Sequence, residues 1–383
     1  MLLTSDSTAQ KAAFTISWKR IAAIPSSGTN VSLGFAGAIN GVNNNVLIVA
    51  GGSNFPNGKP WEGGEKFYSD RIFVLEKKGN EFIWNKKVTS ILPEPIAYCG
   101  STSTPLGIVY VGGENGKGNS NKCLLLKWNG LKNQVDVKSL PDLPLALTNI
   151  AVTNIGNVVY AAGGDEAKNS SDSFFSLDLN DTNAQWKTLS SLPIALANET
   201  AIAQNGKDGK EIFIIGGRSK TSSGISDLHN TTFGFDPQKQ VWKKCADISD
   251  GVHTTNLSAA SGVTLGKHEI LITGGDNGKT FHEIETLISK IAEAKTPEEK
   301  ERLTQKKNNL SIHHKGFDKR LLLYNTVTDV WTKIGELPFL THVTTTDVKW
   351  GNEILISNGE IKPGVRTPDV MMGKVSEKSD AKK

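Results

Sequence analysis

The stretch Asn358-Gly359-Glu360-Ile361-Lys362-Pro363-Gly364-Val365-Arg366-Thr367 concentrates the residues best suited to chemistry. It offers a carboxylate at Glu360 and a guanidinium at Arg366. Pro363-Gly364 between them is a turn signal, so Arg366 can fold back beside Glu360. A carboxylate in such a loop can accept a proton and return it. The same two residues would also make a plain structural ion pair, and exposed pairs of that kind contribute little to stability.

Other chemistries find less support. Cys99, Cys123 and Cys245 are far apart and form no Cys-x-x-Cys pair, so neither a zinc site nor a redox pair is expected and the three read as buried thiols. His313 and His314 are adjacent, not four apart as on a metal-binding helix. A copper oxidase would need clustered Tyr, His and Cys, but the 5 Tyr and 7 His are scattered and Tyr110 and Tyr160 fall in expected strands. The net charge of +4, from 43 basic and 39 acidic side chains, is spread thinly. That is not the concentrated basic footprint of a nucleic-acid binder. No apolar run approaches the roughly 18 residues of a membrane span.

The elements that must position Glu360 and Arg366 are legible from repetition. Glycine contributes 38 of 383 residues, above the usual share of about 7%. Much of it sits in one phrase, an apolar run ending in Gly-Gly, with the second glycine at Gly52, Gly113, Gly164, Gly217 and Gly275. A sixth copy, EILISNGE, carries Asn358-Gly359 instead. The intervals are 61, 51, 53, 58 and 84 residues, four of them near the period of about 50 of the kelch repeat.

A second phrase follows several copies: Trp84, Trp186 and Trp331 are each followed by Leu-Pro, at Pro93, Pro193 and Pro338. Trp242 keeps the position without Leu-Pro. The second repeat has Leu143-Pro144, but Trp128 comes too early for the register. Trp18, followed by Ile24-Pro25, has no Gly-Gly before it, and the C-terminal repeat runs from Val343–Trp350 through 353–357 to about 369–375 without a Trp strand. The N-terminal strand, about 14–21, therefore supplies the missing fourth strand. An isolated Gly-Gly after an apolar run would occur in many β proteins; five copies with coupled Trp phrases and complementary termini specify an all-β, six-bladed kelch β-propeller closed by the N-terminal strand. It is read as one domain over residues 14–376, followed by a charged tail at 377–383.

Loops after the second strand of each blade leave one face of the disc, and the unusual material lies there. About 18 residues follow Gly52, and an excursion of about 276–319 follows Gly275. Ile284, Leu287, Ile288 and Ile291 recur at helical spacing, and Thr296-Pro297-Glu298-Glu299 reads as a fresh helix start. Besides a solvated face, this helical insertion is read as a lid over the funnel. Asn54, Lys59, Glu114 and Arg218 follow Gly-Gly units and would face the same funnel. Asn54, Lys59 and Arg218 are taken as possible substrate contacts.

The loop at Glu360 resembles the Gly-Glu-x-Lys-Pro-Gly-x-Arg-Thr signature of the N-acetylneuraminate (sialic acid) mutarotases, also called epimerases. Gly34-Phe35-Ala36-Gly37, Asn57-Gly58-Lys59, and Ala97-Tyr98 followed by Gly112-Gly113-Glu114 are similar to further segments of that family. The order differs from its best-known members, in which the Glu motif lies mid-chain, so the chain resembles a cyclically permuted branch. The resemblance implies interconversion of sialic acid anomers by ring opening and closure, with Glu360 as proton acceptor. It makes Arg366 the partner of the substrate carboxylate or of developing negative charge, a task for a planar guanidinium. The partner is then a small sugar acid, with no cofactor or metal required, and no signal sets an oligomeric state.

A non-catalytic binding module on the same scaffold is the alternative. The resemblance implies a periplasmic enzyme. The N-terminus has no charged and apolar leader pattern, so that expectation assumes a removed signal peptide; the alternative is the cytoplasm.

Overall fold

The computed structural model describes residues 14–26 and 32–377. Six four-stranded antiparallel sheets form the blades, numbered here from the first complete one in the chain. Their inner strands are Ile39–Asn43, Gly100–Thr104, Ala151–Ile155, Thr200–Asn205, Ser261–Leu265 and Val348–Trp350 for blades 1 to 6. In blade 1 the order continues outward through Val46–Ala50 and Ile72–Lys78 to Glu81–Trp84. Blade 6 ends instead with Phe14–Ala23, which pairs antiparallel with the C-terminal strand Asp369–Glu377 from Phe14 opposite Glu377 to Ala23 opposite Asp369. The N-terminal strand thus covers an edge that would otherwise offer free pairing groups. The last strand runs one residue into the segment read as a tail; the rest of that tail, residues 378–383, lies outside the described residues.

The apolar runs before Gly-Gly are second strands, covered on both faces. Along Val46–Ala50 every residue is buried. Successive side chains point to opposite faces, so Val46, Ile48 and Ala50 join the layer against blade 2. Leu47 and Val49 join the layer against blade 6. Comparable layers fill the other blade interfaces, and the core is this ring of apolar layers.

The Gly-Gly pairs turn the chain with left-handed backbone, as at Gly216 (φ 64°) and Gly217 (φ 96°). A β-carbon on Gly216 would stand 2.2 Å from the Leu257 carbonyl oxygen of the next blade. Asn358 keeps the same left-handed turn at φ 49°, which asparagine tolerates better than most residues. Its side-chain amide donates to Asn40 Oδ1 of blade 1 at 3.2 Å.

The expected first strand of the last blade, 343–350, is shorter than read. Val343 makes an isolated bridge to Glu360, Thr344 turns left-handed at φ 51°, and the strand begins only at Val348. Trp128 lies in the third strand of blade 2, Cys123–Asn129, which accounts for its early register. The excursion after Gly275 holds two helices, α1 (Lys279–Glu293) and α2 (Pro297–Ile312). Thr296 caps α2 by accepting a 3.1 Å hydrogen bond from Glu299 N.

Candidate active site

At the axis the backbone makes a closed ring of six hydrogen bonds, one from each blade to the next. Tyr98 N donates to Gly37 O (2.8 Å), Asn149 N to Tyr98 O (2.9 Å) and Asn198 N to Asn149 O (3.0 Å). Ala259 N donates to Asn198 O (2.8 Å), Thr344 N to Ala259 O (3.4 Å), and Gly37 N closes the circle on Thr344 O (2.7 Å). All six residues adopt left-handed φ between 51° and 63°. The ring borders an axial cavity of about 460 Å³ lined by the inner strands. Tyr98 lines this cavity, whereas Glu360 and Arg366 are not among its lining residues.

Within the blade 6 loop, Glu360–Lys362 and Val365–Arg366 form a two-stranded ribbon turned at Pro363-Gly364. Glu360 Oε1 accepts hydrogen bonds from Gly364 N at 2.6 Å and from an Arg366 terminal nitrogen at 3.0 Å. The side chains are 17% and 6% exposed respectively, so this is a largely enclosed pair and water screens it less than a surface pair.

Blades 1 and 2 complete the arrangement. The Arg366 guanidinium lies 4.5 Å from the ring centroid of Phe55, in the geometry of cation–π attraction. Its other terminal nitrogen donates to the Tyr98 hydroxyl at 3.4 Å. Ser53 Oγ donates to the same hydroxyl at 3.0 Å. Lys66 Nζ stands 4.9 Å from the Tyr98 ring centroid and 3.2 Å from Glu114 Oε1, which also accepts from Tyr68 Oη at 2.7 Å. Burial alone would lower the Lys66 pKa; the phenols of Tyr98 and Tyr68 and the Glu114 carboxylate outweigh it and hold it above the usual value. Burial, with the Glu114 hydrogen bond, pushes Tyr68 up to about 12.

The sequence candidates are distributed unevenly. Asn54 precedes Phe55 and donates to Gly34 O at 3.0 Å, and its Oδ1 is buried without a protein partner. Lys59 begins the short turn 60–62, whose Pro60 and Trp61 side chains lie beside Gly364. Both therefore belong to the neighbourhood of Glu360 and Arg366. Arg218 does not: it is buried against Asp165 of blade 3, with nitrogen–oxygen distances of 2.5 and 3.3 Å.

The excursion bridges the two regions. Glu285 of α1 accepts from Ser226 N (2.7 Å) and Oγ (2.8 Å) on the blade 4 loop. Beyond α2, Gly316 lies beside Leu340 and within reach of the Ile361 carbonyl in the blade 6 loop. Nearby His314 has its pKa lowered, first by burial and further by Lys362, against the opposing pull of Asp276 and Glu360.

Residues 140–382 match the family model for N-acetylneuraminate epimerase. The chain belongs to the N-acetylneuraminate epimerase family. Among relatives bearing that name, the protein of Haemophilus influenzae (strain PittEE) is 28% identical over 243 residues, covering 63% of this chain and 61% of the relative. That of Brucella melitensis is 29% identical over 238 residues (61% and 58%), and that of Salmonella typhimurium 29% over 232 residues (60% and 56%). The chain thus spans about three fifths of the length of the relatives it matches. The stretch matched to the epimerase family model includes the Glu360–Arg366 loop and Arg218 but stops short of Asn54, Phe55, Lys59 and Tyr98.

Tyr98, Phe55 and Lys66 were not read as site residues from the sequence. The only signal for Tyr98 was its place in the Ala97-Tyr98 segment of the resemblance.

Proposed function

We propose that this protein interconverts the α and β anomers of N-acetylneuraminate through the open-chain ketone. Ring opening removes a proton from the anomeric hydroxyl and delivers one to the ring oxygen; closure on the other face reverses both transfers. Glu360 is the proton acceptor. Gly364 N and Arg366 both bind its Oε1, which fixes the carboxylate and leaves Oε2 to meet the substrate hydroxyl. Arg366 balances negative charge in the site, either the sugar carboxylate or the oxygen from which the proton leaves. Lys59 and Lys66 stand around the same loop, as suits an anionic sugar.

The observation that carries this reading is the enclosed Glu360–Arg366 pair, held against the axial-ring residue Tyr98, in a chain of this family. The test is anomer equilibration of freshly released sialic acid, followed by proton NMR. Acceleration over the spontaneous rate is expected, with most of it lost in Glu360→Gln. No acceleration by the wild-type protein would leave a binding module as the better description. The expected periplasmic location belongs to the same proposal and is checked by cell fractionation.

A further inference from the structure

Ring opening needs two proton transfers, and the Glu360 carboxylate accounts for one. The group that serves the ring oxygen must hold a transferable proton, stand near Glu360 and be ready to lose charge-balanced hydrogen. Tyr98 meets these conditions. Its hydroxyl oxygen accepts from Ser53 Oγ at 3.0 Å and from Arg366 at 3.4 Å. Both bonds use the oxygen's lone pairs, so the phenolic proton is left to point outward.

Position supports the same role. One Arg366 nitrogen holds Glu360 and the other holds Tyr98, so a single guanidinium sets the spacing between the two groups. The anomeric hydroxyl oxygen and the ring oxygen share one carbon, and two proton-transfer groups flanking one guanidinium can address both. Negative charge arising on the Tyr98 oxygen would be met by Arg366, with the Lys66 ammonium 4.9 Å from the ring centroid. Tyr98 is also rigid where it matters. Its backbone N–H and C=O are both spent in the axial ring, and its aromatic ring packs over the bare α-carbon of Gly37, where a β-carbon would come within 2.6 Å of it.

We propose that Tyr98 is the second proton-transfer group, protonating the ring oxygen as the C2–O6 bond opens. This rests on the mutarotase reading above. In the forward step Glu360 takes the proton from the anomeric hydroxyl, and the C2–O6 electron pair goes to O6. Tyr98 gives its proton to O6, yielding the open-chain ketone and a tyrosinate. After rotation about C2–C3, the O6 hydroxyl adds to the other face of C2. Tyr98 then takes back its proton, and Glu360 returns the other to the carbonyl oxygen. Nothing is oxidised, and both residues end as they began.

The test is Tyr98→Phe in the full chain, assayed by the same anomer equilibration. The expected result is a kcat loss on the order of 10²–10⁴-fold, typical of a lost acid–base group, with KM little changed. The phenyl ring preserves the packing over Gly37, and a melting curve checks the fold. Site-specific replacement of Tyr98 by a fluorinated tyrosine is the second measurement: the more acidic phenol should move the alkaline limb of the kcat profile to lower pH. An active wild type with undiminished Tyr98→Phe turnover, or a fluorotyrosine profile that does not move, overturns the role of Tyr98 while mutarotation stands. A wild type that does not accelerate equilibration overturns both.

Discussion

The indole nitrogen of Trp84 donates a 2.7 Å hydrogen bond to the carbonyl of Ala23. It joins the outer strand of blade 1 to the end of the N-terminal strand, across the junction where the ring closes. Trp186 to Pro141 (2.9 Å), Trp242 to Ser190 (3.0 Å) and Trp331 to Ala246 (3.1 Å) repeat the contact between other neighbouring blades. The Trp of blades 1, 3, 4 and 5 is therefore an inter-blade staple, whereas the Trp18 indole nitrogen of blade 6 is buried without a partner. Trp84→Phe keeps the aromatic contact with Phe73 but loses the donor. It should cost about 1 kcal/mol, read as a lower denaturant midpoint with unchanged slope. An unchanged midpoint would show that the staple at the closure contributes nothing.

Arg366→Lys should damage catalysis far more than folding. Arginine here reaches Glu360, Tyr98 and the Phe55 face together, and a lysine ammonium has no planar fork with which to do so. A loss of kcat on the order of 10²–10³-fold is expected, the scale seen when one preorganised charge-stabilising donor is removed. Retention of near wild-type turnover by the lysine variant would mean that bare positive charge suffices.

Arg218→Ala should act on stability first. The Asp165 side chain is 1% exposed and has Lys220 as a more distant second cation at 3.6 Å. Removing Arg218 strands a buried carboxylate, at a cost of about 3–5 kcal/mol. Melting temperature should fall, while KM measured on the remaining folded protein should hold. A raised KM at unchanged melting temperature would instead identify Arg218 as a substrate contact.

What was legible in the sequence follows from how far apart the cooperating residues lie. Each blade is local, so the apolar runs, Gly-Gly turns and Trp positions declare it within one repeat. Closure was also legible, because the C-terminal repeat lacks what Trp18 and its strand provide. Glu360 and Arg366 face each other across a turn of their own loop, and the turn residues say so. Tyr98 and Arg366 meet across 268 positions, and no periodicity relates the two. Arg218 was visible only by its place after Gly217; its ion-pair partner Asp165 comes from another blade and left no signal near it. The short first strand of blade 6 was over-read because apolar pattern does not report the left-handed turn at Thr344.

Glu199 directly follows the axial-ring residue Asn198, the place held in the other blades by Ala38, Cys99, Ile150, Ala260 and Thr345. Both carboxyl oxygens are buried without a side-chain partner, and a β-carbon on Gly163 would stand 2.3 Å from Oε1. Burial, aided by the Asp165 charge against the weaker pull of Arg218, raises its pKa from 4.5 to about 8. The folded state therefore holds a proton that the unfolded chain has lost between about pH 4.5 and 8, and stability falls as pH rises through that window. Burial of Asp347, raised from 3.8 to about 7, acts with the same sign. His342, lowered by burial from 6.5 to about 4, acts oppositely, because the unfolded chain binds its proton first. Between about pH 4.5 and 6.5 His342 offsets only one of the two carboxyl groups, so stability still falls with pH there, and above pH 6.5 the carboxyl groups act unopposed. Glu199→Gln keeps the neutral shape and removes the titration. Asp347 and His342 titrate alike in both proteins, so its melting temperature should match wild type near pH 4 and exceed it increasingly as pH rises from about 4.5 to about 8. Parallel melting curves across that range would show that Glu199 does not hold its proton in the folded protein.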